Sequence, residues 1–399
     1  MCLALYLGFP LFGGILIKIL ISPCRGWLGN RYFGERVVVW RLLYLSFVSY
    51  LFICFTERRR VVRSLCKILV FLSVCFFTSF SLLWIFFILE ATSIPLLFLS
   101  LGFGSQSEKV QASYYLLFFS VLRSVLFLYF FCRELGLEEG FFSGVGCLIA
   151  SDTLFLISLI FLIKLPLYGL HLWLPKLHVE SPTSSSILLA SLLLKMGGYG
   201  LSRILCGYGW VIVDFLRVFS ILGYFFLRAY CCFLRDTKLV VAYSSVVHMR
   251  LILVLLLSGR GIGKGAALFL IVSHGLGSVL LFYVVGEWYV ARGVRLLYHS
   301  RGMSKVASGF SFLCLFIFLA NAGVPPFLGF FREILSLRVL YIRSFLSLIF
   351  LGSYFVIGLY YSVVLVISTI SGKGGTLVFG RVDNRVLILL LILFVIIWV

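Results

Sequence analysis

Charge is scarce in this 399-residue chain: 12% of its residues are Asp, Glu, Lys or Arg, against ~25% in a soluble domain. Carboxylates are scarcest, 14 against 34 basic residues. Long polar segments are missing too. The longest gaps between apolar runs are 23–36, 56–64, 102–110, 133–146, 287–307 and 372–383, and none can hold a soluble domain. These shortages exclude an ordinary water-soluble protein and a disordered one. Apolar and polar residues do not alternate along the runs, which excludes an outer-membrane barrel. The eleven cysteines contain no CxxC. Most lie inside apolar runs, where cysteine acts as a small hydrophobe, so no disulfide framework, metal site or iron–sulfur site is expected. No glycine-rich phosphate loop occurs, and Gly261–Gly265 (GIGKG) reads as a turn between spans.

What remains is apolar: 62% of the chain, with a mean hydropathy of +1.15. A bilayer-spanning helix needs roughly 20 apolar residues. Runs of that kind fall at 3–22, 37–55, 65–80, 82–101, 111–132, 147–169, 185–205, 208–231, 239–257, 264–286, 308–342, 343–371 and 384–399. The expected fold is an all-α polytopic membrane protein of about 13 transmembrane helices, a single membrane domain over 1–399. The first run follows Met1 with no basic leader segment and reads as a retained span. The run 308–342 contains Pro325 and Pro326 and is too long for one straight helix, so two half-helices are expected there. The net charge of +20 sits mostly in the short gaps, where basic residues meet lipid headgroups rather than nucleic acid. Clusters around Arg25–Arg36 and Arg58–Arg63 flank the second run on both sides, so charge alone does not orient the chain.

Ionisable residues inside the runs carry the information. Glu90 (FILEATSIP), Lys164 (FLIKLPLYGL), Lys195 (LLASLLLKMGGYG) and Glu333 (VPPFLGFFREIL) all lie at mid-membrane depth. Each costs ~2.5–3.5 kcal/mol to insert, ~10–14 kcal/mol together, comparable to the net stability of a whole domain. Mutual pairing and water are the simplest compensation. Pro166 cannot donate to the carbonyl of Leu162, so a helix break beside Lys164 is expected. Pro325 and Pro326 create a second break ahead of Glu333 by freeing the carbonyls of Asn321 and Ala322. One buried Glu or Lys can merely staple two helices. Four, with two beside broken helices, point to an ion path. His248 and His274 lie inside runs, where each is either a hydrogen-bonded core residue or a proton relay. His171 and His178 flank Trp173 and Pro175 in a segment that reads as an interfacial amphipathic turn, with Trp173 as a belt residue. His299 lies in a polar gap and is expected to be solvated.

Several of these segments resemble one family. LPLYGLHLWLPKLHVESPTSSSILLASLLLKMGGYG (165–200), DTKLVVAYSSVVHM (236–249), SHGLGSVLLF (273–282), FFILEATSIPLLFL (86–99) and GVPPFLGFFREI (323–334) are similar to the subunit 4 family of mitochondrial NADH dehydrogenases, antiporter-like membrane subunits of respiratory complex I. The resemblance covers about residues 80–340. It implies a fold of fourteen helices with two inverted five-helix repeats and two broken helices. The thirteen runs found leave this chain one span short before Glu90, with an antiporter-like core at about 65–371. It further implies proton pumping driven by quinone reduction elsewhere in the complex. Glu90 would modulate Lys164, Lys164 would exchange a proton with Lys195 through water and histidine, and Glu333 would pass it on, with His248 and His274 on the central axis. No cofactor is implied in this chain; ubiquinone, FMN and the iron–sulfur clusters belong to other subunits. The implied partners are subunits 2 and 5, with inner-membrane lipids such as cardiolipin at basic gaps.

Arg123, Arg250 and Arg332 stand where that family carries small residues. They are either divergent arginines or Ser or Gly codons read as Arg under a different organellar code. A stand-alone cation/proton antiporter shares the fold and the Lys/Glu pattern, and a scaffold that had lost the pump would retain the fold alone. The long 165–200 match favours the first reading over the antiporter, and the four ionisable positions argue against the scaffold. The 42 phenylalanines and short polar loops fit a subunit made in the mitochondrial inner membrane.

Overall fold

The computed structural model describes residues 31–79, 81–104, 106–133, 151–204, 210–258, 261–297, 308–325, 328–341 and 345–370. The runs 3–22 and 384–399 and His299 lie outside them. Among the described residues the architecture is entirely helical, apart from one isolated bridge between Asp236 and Leu296. In chain order the helices are α1 (Arg31–Thr56), α2 (Arg60–Thr78), α3 (Leu82–Ala91), α4 (Ser93–Phe103), α5 (Lys109–Arg133), α6 (Ser151–Lys164), α7 (Trp173–Glu180), α8 (Thr183–Leu188) and α9 (Leu194–Ile204), with a π-helical turn (Leu189–Leu193) joining α8 to α9. There follow α10 (Trp210–Cys231), α11 (Thr237–Leu256), α12 (Gly261–Arg292), α13 (Ser308–Ala322), α14 (Leu328–Tyr341) and α15 (Phe345–Ile370). Six helical stretches among the described residues are long and apolar enough to cross a bilayer.

Burial separates centre from periphery. The span over Lys109–Cys132 is 33% buried, and Trp84, Phe87, Phe118 and Val125 stand exposed on α3 and α5. Exposed apolar faces of this size suit lipid contact. The spans over Thr183–Ile204 and Thr237–Leu256 are 94% and 89% buried. The long α12 touches α1, α8, α9, α11, α13 and α14, so the helices bearing Lys195, His248 and His274 form the middle of the bundle.

Both expected breaks are present. α6 stops at Lys164, the chain turns through Pro166 and Gly169 (φ 92°), and α7 resumes at Trp173. Gly169 occupies left-handed backbone that favours glycine. At the second break Val324 N–H donates to the Leu319 carbonyl (3.2 Å) and Gly323 N–H to that of Ala320 (3.3 Å), with Gly323 at φ 75°. That pair of bonds is a Schellman closure, which satisfies carbonyls at a helix end. α14 then begins at Leu328.

Two expectations are corrected. Gly261–Gly265 is not a turn between spans: it forms the first turn of α12. The 171–182 segment is not an interfacial turn: residues 173–180 form a helix, and Trp173, His171 and His178 are all buried. Trp173 is no belt residue. Its indole N–H donates to the Ile163 carbonyl (3.3 Å), across the break. The last helical bond of α6 runs from Leu165 N–H to Phe161, so the carbonyl tied across the gap is that of Ile163.

Candidate functional site

The first polar cluster sits where α3, α5 and α6 meet. Glu90, in the last turn of α3, accepts a hydrogen bond from Arg123 Nε on α5 at 2.8 Å. The Arg123 side chain is 7% exposed and that of Glu90 25%. Lys164, the last residue of α6, donates instead to Thr92 Oγ1 at 3.0 Å. Thr92 sits at the junction between α3 and α4, two residues beyond Glu90. Glu90 and Arg123 both act on Lys164 through their charges, with opposite sign. A cavity of about 30 Å³, above the ~10–15 Å³ that a water needs, lies among Thr92, Ser93, Ser120, Arg123, Lys164 and Trp173. The expected coupling of Glu90 to Lys164 therefore has a third member that the sequence reading missed. Arg123 was visible as a charge inside an apolar run, but nothing in the spacing named its partner.

The second cluster is deeper. The π-helical turn precedes α9, and Lys195 on α9 donates back to the Ala190 carbonyl inside it. An i to i−5 backbone turn shifts carbonyls out of the α-helical row, which places this one within reach of the lysine side chain. Lys195 Nζ also lies 2.8 Å from Nδ1 of His274 on α12. His274 faces His248 on α11, with ring centroids 5.2 Å apart. All three residues are at most 2% exposed. A lysine and a neutral imidazole at this distance can share a proton. Gly197 links the two clusters sterically: a Cβ there would stand 3.3 Å from Lys164 Cβ and 3.1 Å from Leu165 N. Only a glycine lets α9 approach the end of α6 without displacing it.

Glu333 lies on α14, 1% exposed, beneath the second break. A Cβ at Gly323 would overlap its carboxylate, so the Schellman glycine also makes room for the acid. Arg250 follows His248 by two residues on α11 and is 1% exposed. It lies 5.2 Å over the Tyr168 ring, and its three guanidinium nitrogens have no hydrogen-bond acceptor among the described residues. The expectation for Arg332 concerns a side chain outside the description.

Residues 79–358 match the family described as NADH:quinone oxidoreductase/Mrp antiporter, TM. The NADH-ubiquinone oxidoreductase chain 4 of Caenorhabditis elegans is 38% identical over 300 residues, covering 73% of this chain and 71% of that protein. Its counterpart in Ascaris suum is 38% identical over 288 residues, 71% and 69% of the two chains. In architecture, a chain of respiratory complex I from Thermus thermophilus, solved with bound NADH, aligns at TM-score 0.80 with 22% identity over 91% of this chain and 79% of its own. A chain of the Mrp complex from Dietzia sp. DQ12-45-1b aligns at TM-score 0.74 with 16% identity, covering 86% and 66%.

Proposed function

The chain belongs to the NADH:quinone oxidoreductase/Mrp antiporter family and, within it, to the NADH-ubiquinone oxidoreductase chain 4 proteins, and from that membership we propose how it works. It is a proton-translocating membrane subunit of NADH:ubiquinone oxidoreductase. The observation that carries the mechanism is the Lys195–His274 contact at 2.8 Å beside His248. In the most buried of the described spans it sets a proton donor against a proton acceptor.

The path starts at Lys164. Its ammonium is stabilised by Thr92 and by the Glu90 charge, and the fixed Arg123 guanidinium offsets part of that attraction. Weakening the hold of Glu90 on Lys164 promotes proton release, because a buried lysine without its counter-charge favours the neutral form. The proton crosses to Lys195 past Gly197, is shared with His274 and His248, and leaves through Glu333. Each step moves one proton between named groups through water, and the chain carries no electrons. FMN, the iron–sulfur clusters and ubiquinone are held by other subunits, whose quinone chemistry drives the cycle. The remaining spans complete about thirteen helices arranged as two inverted repeats within one membrane domain. Subunits 2 and 5 flank it in the mitochondrial inner membrane, with cardiolipin at the basic gaps.

A stand-alone antiporter subunit is the competing reading, since the Mrp likeness extends to the whole fold. A native gel of mildly solubilised membranes separates the two. The proposal expects this chain to migrate with a large assembly that stains for NADH dehydrogenase activity. Migration apart from that activity, with other small membrane chains, sinks the quinone link.

A further inference from the structure

We infer that Glu57 is a positioning residue for the Lys195–His274 pair, setting from one membrane face the separation of the two helices that carry it. The inference rests on the proton-translocating reading above and adds a support to it. Glu57 follows α1 directly, in the turn to α2, and is 8% exposed. Both of its carboxylate oxygens are engaged. Oε1 accepts from the backbone N–H of Arg59 (3.1 Å) and from its Nε (3.3 Å). Oε2 accepts from the Ser184 hydroxyl at 3.0 Å, 127 residues away in sequence. The Glu57 carbonyl takes the Arg63 guanidinium, with Nε at 3.1 Å. Arg59 and Arg63 close the turn on itself and account for a local acid. The Ser184 bond is different: it joins the turn to the start of the Thr183–Ile204 span, which carries Lys195.

The helices on either side of this turn hold different members of the pair. α1 lies against α12, the helix of His274. A Cβ at Gly275 would stand 2.5 Å from Leu45 Cδ2, and Phe52 meets Tyr283 edge-on with centroids 5.0 Å apart. α2 lies against the Lys195 span instead, with Phe77 edge-on to Tyr199 at 5.8 Å. Both α1 and α2 also touch α8 and the π-helical turn. Depth agrees with this division. Leu45 lies twelve residues before Glu57, and Lys195 eleven after Ser184, each about 16–18 Å from the face at ~1.5 Å per residue. The α1–α12 contact beside His274 is therefore level with Lys195.

The arrangement works as a brace. α1 and α2 are its arms, Glu57 is the vertex, and Ser184 is the point where the vertex is fixed to the central span. Apolar packing is non-directional, so it holds the arms sideways without fixing the span along its own axis. A hydrogen bond to a carboxylate is directional and charge-assisted. It sets how far along its axis the Thr183–Ile204 span sits, and so where Lys195 Nζ stands relative to His274 Nδ1, now 2.8 Å away. Proton transfer needs that reach, about 2.6–3.2 Å or one bridging water. Glu57 touches neither the lysine nor the imidazole; it positions them and relays nothing.

The test uses the assembled complex in sealed inner-membrane vesicles, with NADH oxidation, proton uptake and complex content measured together across pH. Ser184→Ala removes the bond between turn and span and leaves the Glu57–Arg59 turn intact. Turnover per assembled complex is expected to fall roughly three- to tenfold, short of the ~100-fold that a 1 Å misplacement can cost. The pH of half-maximal turnover is expected to move by about 0.5. Glu57→Ala is expected to match or exceed this, and the double variant to be no slower than Glu57→Ala alone, since both remove the same bond. Glu57→Gln keeps an acceptor for Ser184 and is expected to recover most of the loss. A carboxylate that only stabilises the fold lowers complex content and leaves turnover per complex and the pH profile at wild-type values. That result in Ser184→Ala, whose turn is intact even where Glu57→Ala fails to assemble, overturns the inference. Lys195→Met in parallel separates the two ideas: if it also pumps normally, the central path falls, and if it alone fails, only the brace falls.

Discussion

The two polar clusters solve the same problem differently. Around Lys164 the protein uses a carboxylate and balances it: Glu90 is bound to Arg123 at 2.8 Å, and Lys164 hydrogen-bonds to a hydroxyl beside a small cavity. Around Lys195 the described side-chain partner is an imidazole, His274 at 2.8 Å. The first arrangement stores charge of both signs near the lipid-facing side, where an ion pair survives if each member is held. The second sets a proton donor against an acceptor in the most buried of the described spans. The contrast teaches that the outer cluster is suited to sensing and biasing, and the inner one to conduction.

Removing conduction should have the largest effect. Lys195→Met is expected to lower coupled turnover at least ~10-fold, on the scale of a lost acid–base group, while the complex still assembles. Measured proton uptake per NADH at normal complex content checks it; unchanged uptake would dissolve the division between the clusters. The same comparison bears on the two arginines. Arg123 has its carboxylate, whereas Arg250 is 1% exposed with no acceptor for its guanidinium among the described residues. A buried cation without hydrogen bonds costs several kcal/mol, and Arg250→Ser is expected to stabilise the assembled complex by about 1–3 kcal/mol, seen as a higher dissociation temperature in mild detergent. Peptide mass spectrometry across 249–251 distinguishes a genuine arginine from a serine or glycine codon read as arginine. A mass matching arginine, together with a destabilised Arg250→Ser variant, would make the residue a structural cation over Tyr168.

Much of this was legible in the sequence, for identifiable reasons. Lys164, Lys195, Glu90 and Glu333 stood out because charge within an apolar run is costly, and the structure buries three of them almost completely and ties Glu90 to Arg123. Both breaks followed from Pro166 and Pro325, since proline removes a donor whatever surrounds it. The His171–His178 segment was misread because its Trp, Pro and Lys look interfacial one residue at a time. What decides its burial is α5 and α11 packing against α7, with Phe282 of α12 on His178. The π-helical turn before Lys195 left no trace in composition at all, because a run of Leu and Ser supports an α-helix equally well.

Smaller substitutions refine the outer cluster. Arg123→Ser releases Glu90 from its ion pair and leaves its charge acting on Lys164 without the opposing guanidinium. The expected loss of stability is about 1–2 kcal/mol, below that of a fully buried pair because Glu90 is partly exposed. Turnover should then fall a few-fold, as a tighter Glu90–Lys164 attraction slows proton release. Faster turnover in Arg123→Ser would reverse the assigned role of the guanidinium.

The smallest effect is expected from Trp173→Phe. The ring still fills the buried site at the start of α7, and only the N–H bond to Ile163 is lost. One neutral hydrogen bond is worth about 1 kcal/mol, so complex content and turnover should change by less than a few-fold. The bond nonetheless closes the break directly behind Lys164. Loosening it should raise amide hydrogen exchange over residues 163–173 while leaving the Lys195 cluster as protected as before. Equal loosening at both clusters would mean that the break is a shared hinge, and that biasing and conduction are not separable parts of the molecule.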